Sequence, residues 1–296
     1  MERVRVLIQG LKEKAVLFFE MIKFEHTVFA LPFAYVGLFL AEGGLPRFPV
    51  FFWVTLAMFS FRSMSMGLNR LIDARIDADN PRTQHRAIPA GKLKKSYVWF
   101  INMVCLALFE LSAYRLSQLC FLLSPIPVFW AWFYPWTKRF TWLSHFILGM
   151  ILGMAPYGAW LASRGEFSWI PGFLMLGIVT WVAGFDIIYS LQDREFDIEN
   201  RLYSFPACFG VRLSIRMTWV LHGLTIIFWA IAGMLAGCGV VYLSGIILVV
   251  FFLLREHWLI HRFGLKKVEE AFFPMNAVVS VSIFLAVVAD LCVRRL

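Results

Sequence analysis

Long apolar runs alternate with short polar joins along almost the whole chain. Nine runs come close to the about 20 largely apolar residues that a membrane-spanning helix needs. They lie at roughly 24–42, 49–69, 97–114, 117–136, 142–162, 170–190, 217–236, 238–254 and 272–291. The third and fourth are joined only by Ala113–Tyr114–Arg115–Leu116, and the seventh and eighth meet at Gly237–Cys238–Gly239. Each of these short joins predicts an antiparallel hairpin. The pattern predicts an all-α integral membrane protein, a single transmembrane domain over residues 1–296. Residues 1–22 read as an amphipathic surface helix. The two long polar joins, 70–96 and 191–216, read as loops over one membrane face, where long loops tied to functional residues act as lids.

Composition agrees. The chain is 60% hydrophobic and 16% charged, with a mean hydropathy of +0.72, against about 25% charged in a soluble domain. Too few polar residues remain to cover a water-facing surface. The 31 Phe and 12 Trp suit lipid-facing and interfacial positions. Five cysteines occur with no CxxC pair, which excludes a zinc or disulfide framework. The N-terminus carries acids and lacks a small-residue cleavage site after its first apolar run, so it does not read as a cleaved signal peptide.

The formal net charge is +9, and its distribution sets the orientation. With the N-terminus inside, the inner joins carry nearly all the Lys and Arg, while outer segments hold only Arg47, Arg115, Arg164, Arg294 and Arg295. Arg62 falls inside the second run. This asymmetry predicts a cytoplasmic N-terminus and an odd number of spans in the cell inner membrane. It also accounts for the basic residues through lipid headgroups, topology and phosphate binding. No nucleic acid and no required protein partner are expected.

The acids are placed less ordinarily. Asn69, Asp73 and Asp77 are spaced four apart at the end of the second run, so they share one helical face. Asn80–Pro81 ends that helix, and Asp79 lies off the stripe. A second set follows the sixth run: Asp193 and Asp197 are four apart, and Asp186 stands seven residues earlier. Tyr189, Ser190 and Gln192 are close by. Acids near membrane depth are costly without a partner, and carboxylates held together repel unless a cation neutralises them. Mg2+ takes hard oxygen ligands and keeps positions open for substrate phosphates, so two such faces could bracket a diphosphate. Basic residues stand nearby: Arg82, Arg86 and Lys92 after the first set, Lys138 and Arg139 after Tyr134–Pro135, and Arg194 and Arg201 around the second. Arg offers a bidentate fork to phosphate oxygens.

These stretches resemble the motifs of the UbiA-type intramembrane prenyltransferases, the 4-hydroxybenzoate polyprenyltransferase family. NRLIDARIDADNPRTQHRAIPAG matches the first motif, through Asn69, Asp73, Asp77, Arg82, Thr83 and Arg86. DIIYSLQDREFD resembles the second, through Tyr189, Gln192, Asp193 and Asp197. IKFEHTVFALPFAYVG and FYPWTKRFTWLSH are also similar, and the resemblance runs from about residue 20 to 290. It implies nine transmembrane helices around a central cavity with a cytoplasmic cap, a polyprenyl diphosphate donor and an aromatic acid acceptor in quinone biosynthesis.

On this reading Asp73, Asp77, Asp193 and Asp197 are catalytic and hold Mg2+, with Asn69 and Asp186 completing or orienting that shell. Arg82, Arg86 and Lys138 absorb charge on the departing diphosphate. Tyr189 or His26 contacts the acceptor, while His85 and His145 have no assigned role. Many relatives read Arg-Pro-Leu where this chain has Arg86–Ala87–Ile88–Pro89. That difference leaves two acceptors: 4-hydroxybenzoate first, and 1,4-dihydroxy-6-naphthoate of the futalosine route to menaquinone as the alternative. The alternative of another class is a transporter, which would place its acids at mid-membrane in both halves.

Overall fold

The computed structural model describes residues 2–24, 27–264 and 268–295. His26, Lys266 and Lys267 lie outside the described residues. Thirteen α-helices follow one another among these residues, with no strand. They are α1 (Glu2–Met21), α2 (Thr27–Glu42), α3 (Phe48–Ile72), α4 (Ala74–Asp79), α5 (Lys95–Leu116), α6 (Gln118–Leu123), α7 (Pro125–Thr137), α8 (Ser144–Arg164), α9 (Trp169–Ser190), α10 (Arg194–Glu199), α11 (Phe205–Leu235), α12 (Val240–Phe263) and α13 (Val268–Val293). A single 3-10 turn, Leu191–Asp193, joins α9 to α10.

Eight spans among the described residues are long and apolar enough to cross a membrane. Gln118–Thr137 counts as one of them, because α6 and α7 run on across Ser124. Pro125 starts α7, where a missing N–H costs nothing. The first expected run forms a shorter apolar helix, Ala30–Glu42. At 1.5 Å per residue the whole of α2 is about 24 Å long.

Helix packing relies on small residues where backbones approach closely. A Cβ on Gly37 in α2 would sit 2.2 Å from the Pro156 carbonyl oxygen of α8. Gly177 in α9 leaves room for the indole of Trp229 in α11. Around that contact lies the main apolar core, drawn from α2, α8, α9, α11, α12 and α13 and including Phe33, Trp181, Trp229, Tyr242 and Ile283. Two of its polar handles find partners: Trp229 Nε1 donates to Leu174 O at 3.3 Å, and the Tyr242 hydroxyl donates to Trp229 O at 2.8 Å.

Three expectations need correction. The join 191–216 is mostly helix, not loop. Ser204 caps α11 by accepting from Ala207 N at 3.3 Å, with Pro206 in the first turn, so α11 starts well before the apolar run does. Gly210, at φ 77°, then bends it. Only 200–204 has no helix in this segment. The join 70–96 likewise keeps α4 and the end of α3, leaving turns over 80–94. Finally, α1 is not simply a surface helix. Phe18, Met21 and Ile22 are buried against Leu71, Ala74, Ile88, Leu93 and Val98. Arg70 Nε donates to Met21 O at 3.3 Å, so the end of α1 is fastened to the helix that carries the first acid set.

Candidate functional site

The ends of α3, α7 and α9 and the starts of α8 and α11 meet at one end of the bundle, where the two acid sets face each other. The first set keeps its helical register through a break. Asp73 leaves helical geometry (φ −88°, ψ 1°), yet Asp73 N donates to Asn69 O at 3.0 Å and Asp77 N to Asp73 O at 2.8 Å. Asn69, Asp73 and Asp77 therefore still share a face, as the spacing predicts.

Each of these carboxylates meets a cation. Lys138 Nζ lies 2.8 Å from Asp73 Oδ2, and Arg139 Nη2 lies 3.2 Å from Asp73 Oδ1. Asn69 Nδ2 donates to Asp73 Oδ2 at 3.0 Å. Arg86 Nη1 donates to Asp77 Oδ1 at 2.7 Å. The other oxygen, Asp77 Oδ2, is buried without a hydrogen-bond partner. Unpaired charges at this depth would cost several kcal/mol, which is why the cations converge here. Asp79 is exposed, as its place off the stripe implies.

The two sets are tied to each other across the mouth. Arg82 grips Asp193 with both Nε, at 2.8 Å to Oδ1, and Nη2, to Oδ2. Arg82 Nη1 donates to the Tyr189 hydroxyl at 2.9 Å. Asn80 Nδ2 adds a bond to Asp193 Oδ1 at 3.0 Å, and Asn80 Oδ1 accepts from Arg82 N at 2.9 Å. Burial works against the charge on Arg82, but its bonds to Asp193 and Tyr189 hold the guanidinium above its ordinary pKa. It stays charged.

The second set divides its partners. The 3-10 turn at Leu191–Asp193 winds the chain more tightly than an α-helix, yet Asp186, Asp193 and Asp197 all line one cavity. Asp186 Oδ2 meets His145 Nδ1 of α8 at 2.6 Å. His145 Nε2 accepts from Phe205 N at 3.2 Å. Lys138 O accepts from Tyr203 N at 2.7 Å, which pins the segment before α11 over the α7 end. Arg194, a candidate for the acids, turns away to donate to Pro206 O at 3.1 Å.

Beneath the mouth a cavity of about 1020 Å3 runs down the bundle. All ten predicted site residues line it: Asn69, Asp73, Asp77, Arg82, Arg86, Lys138, Asp186, Tyr189, Asp193 and Asp197. Its deeper wall is apolar, with Met58, Phe61, Leu148, Ile151, Leu152 and Val182, and it reaches Leu116, Cys120 and Phe167 near the far helix ends. Three contributors were not singled out by sequence. Asn80 read only as a helix stop, Arg139 stood beside the favoured Lys138, and His145 carried no spacing signal.

Among the described residues, no three His, Cys, Asp or Glu side chains converge as a ready-made metal cage. The donor set is nonetheless one of hard oxygens. Mg2+ is commonly held by one or two carboxylates plus waters and substrate phosphates, without a dedicated protein cage. The open, buried Asp77 Oδ2 beside Asp73 fits that mode.

Comparison with known proteins places the fold. Residues 30–279 match the model of the UbiA prenyltransferase family. The 4-hydroxybenzoate octaprenyltransferase of Vibrio campbellii is 27% identical over 254 residues, covering 84% of this chain and 89% of its own. The enzyme of the same name from Francisella tularensis subsp. tularensis (strain WY96-3418) is 25% identical over 260 residues, covering 88% and 89%. The apo structure of a UbiA homolog from Aeropyrum pernix K1 superposes with a TM-score of 0.82 at 29% identity, over 90% of this chain and 98% of that one. A UbiA homolog from Archaeoglobus fulgidus, bound to DMAPP and Mg2+, shares the fold with a TM-score of 0.69 at 18% identity, over 92% and 99%.

Proposed function

Because this chain belongs to the UbiA prenyltransferase family, we propose that it transfers a polyprenyl group from polyprenyl diphosphate to 4-hydroxybenzoate, an aromatic step of quinone biosynthesis. The observation that carries this reading is the join of two environments in one cavity. A cation-rich, acid-lined mouth opens directly into a long apolar channel. A diphosphate suits the first and an isoprenoid tail the second. A transporter would not need the acids tied to arginines at the helix ends.

Asp73, Asp77, Asp193 and Asp197 would hold the Mg2+ cofactor, with Asn69 orienting Asp73 through its hydrogen bond. When bound, it stabilises charge on the phosphate oxygens. The chain's own residues do the rest. Arg86 and Lys138 now neutralise Asp77 and Asp73, and they turn to the diphosphate as its negative charge grows. Arg82 keeps the two halves joined through Asp193, and Tyr189 braces Arg82. The apolar wall below excludes water from the allylic cation, whose capture would waste the donor as an alcohol. The turns over 80–94 and the 3-10 turn with α10 cap the mouth.

The mouth faces the cytoplasm in the inner membrane, with nine passes counting α2 and the N-terminus inside. Single-cysteine tags in a cysteine-free background test this. A tag at Lys94 is expected to react only when the inner side is exposed, and one at Arg164 in intact cells. Labelling of Lys94 from outside overturns the orientation.

The acceptor is tested by incubating membranes holding the protein with labelled polyprenyl diphosphate and equal 4-hydroxybenzoate and 1,4-dihydroxy-6-naphthoate, then identifying products by mass. Prenylated hydroxybenzoate is the expected product. Prenylated naphthoate alone replaces the acceptor in favour of the alternative, and no ring-prenylated product overturns the reaction class.

A further inference from the structure

Asp186 differs in its company from the acids held by lysine and arginine. Asp73, Asp77 and Asp193 each pair with a lysine or arginine. Asp186 pairs with a histidine that also receives a backbone hydrogen bond. Phe205 N–H donates to Nε2, so that nitrogen carries no proton. The single imidazole proton is then on Nδ1 and is donated to Asp186 Oδ2 across 2.6 Å. A neutral imidazole orients a carboxylate without cancelling its charge. Asp186 Oδ1 has no hydrogen bond among the described residues, and its side chain, 20% exposed, lines the cavity.

Its depth matters as well. Asp186 stands seven residues before Asp193, so it lies about 10 Å further into the bundle. Val182 and Phe185, on the same helix, line the wall beside it, with Leu148 across from them on α8. It therefore sits where the mouth gives way to the apolar channel. With the diphosphate held at the mouth and its tail in the channel, the carbon between them would pass near this level, and the attacking ring would have to meet it there.

We propose that Asp186 is the catalytic base that removes the proton from the prenylated ring carbon, and that His145 is its positioning residue. This rests on the prenyl-transfer reading above. As the donor C–O bond breaks, its electron pair leaves with the diphosphate. A ring π pair forms the new C–C bond, so one ring carbon bears both hydrogen and prenyl group. Asp186 takes that hydrogen as a proton, and the C–H pair restores aromaticity. The proton then passes from the neutral carboxyl to the released diphosphate, which returns Asp186 to its starting state. The chemistry asks for an electron-rich hydroxylated ring as acceptor.

The test uses the full-length protein in detergent, with a polyprenyl diphosphate and 4-hydroxybenzoate either normal or deuterated on the ring. Asp186→Asn is expected to lower kcat by about 10²-fold, with little change in KM for the donor. The ring-deuterium effect on kcat is expected to rise above that of the wild type, because deprotonation becomes the slow step. His145→Leu is expected to lose about tenfold. His145→Asn, whose side-chain amide replaces Nδ1–H, is expected to recover most of that loss. Wild-type kcat in Asp186→Asn, or a lowered kcat with an unchanged deuterium effect, overturns the inference while leaving prenyl transfer standing. Failure of the wild type to prenylate any aromatic acceptor overturns the underlying reading as well.

Discussion

Asp77→Asn and Asp193→Asn are each expected to cut turnover about 10³-fold at saturating donor, whereas Asp79→Asn stays close to the wild type. Losing a group that stabilises charge developing in the transition state costs ~4 kcal/mol at this size of effect. Asp77 and Asp193 stand on opposite sides of the mouth, one from the first acid set and one from the second. Asp79 is exposed and off the stripe. Asn keeps the size and removes the charge. The change strands Arg86 or Arg82, whose partners these are, and breaking a part-buried ion pair lowers stability as well. The assay therefore includes the folded fraction by size exclusion, so that loss of protein is not read as loss of chemistry. The rate should fall more than donor affinity, because the carboxylates act on the departing group. Near-wild-type turnover in both variants rules out the two-sided acid site.

Removal of divalent ions is expected to have an effect of the same order. After washing with EDTA, prenyl transfer should drop to background and return on adding Mg2+. Folding should not follow it. Lys138, Arg139, Arg86 and Arg82 already neutralise Asp73, Asp77 and Asp193, so protein charges hold the mouth together and Tm should change little. Binding energy for the metal is gained together with the diphosphate, which supplies the remaining oxygens. Full turnover in excess EDTA excludes the Mg2+ site. A large fall in Tm on chelation instead assigns the metal a structural role.

The sequence made the first acid set legible because four-residue spacing survives any helix that carries it. Asn69, Asp73 and Asp77 keep one face even across the break at Asp73. It could not show what crosses between helices distant in the chain. Asn80 and Arg82 reach Asp193 more than a hundred residues away, and that contact depends on how the turn after α4 meets the 3-10 turn after α9. The seven-residue spacing of Asp186 from Asp193 spans a 3-10 turn, and both still line one cavity. The His145 partner of Asp186 lies on α8, and no spacing announces it. The apolar runs located the spans well but misplaced the start of α11. Its first turns carry Arg212 and Arg216, so hydropathy alone reads them as loop, whereas the Ser204 cap and Pro206 start the helix there.

The central claim is that the acids at the mouth and the apolar channel below them form one prenyl-transfer site. Its most direct test is a single-turnover measurement on the purified chain with Mg2+, labelled polyprenyl diphosphate and 4-hydroxybenzoate, with products identified by mass. The account predicts a ring-prenylated hydroxybenzoate formed together with diphosphate by the wild type, and neither formed by the Asp77→Asn, Asp193→Asn double variant. Ring-prenylated product from the double variant at the wild-type rate, or none from the wild type, would contradict it.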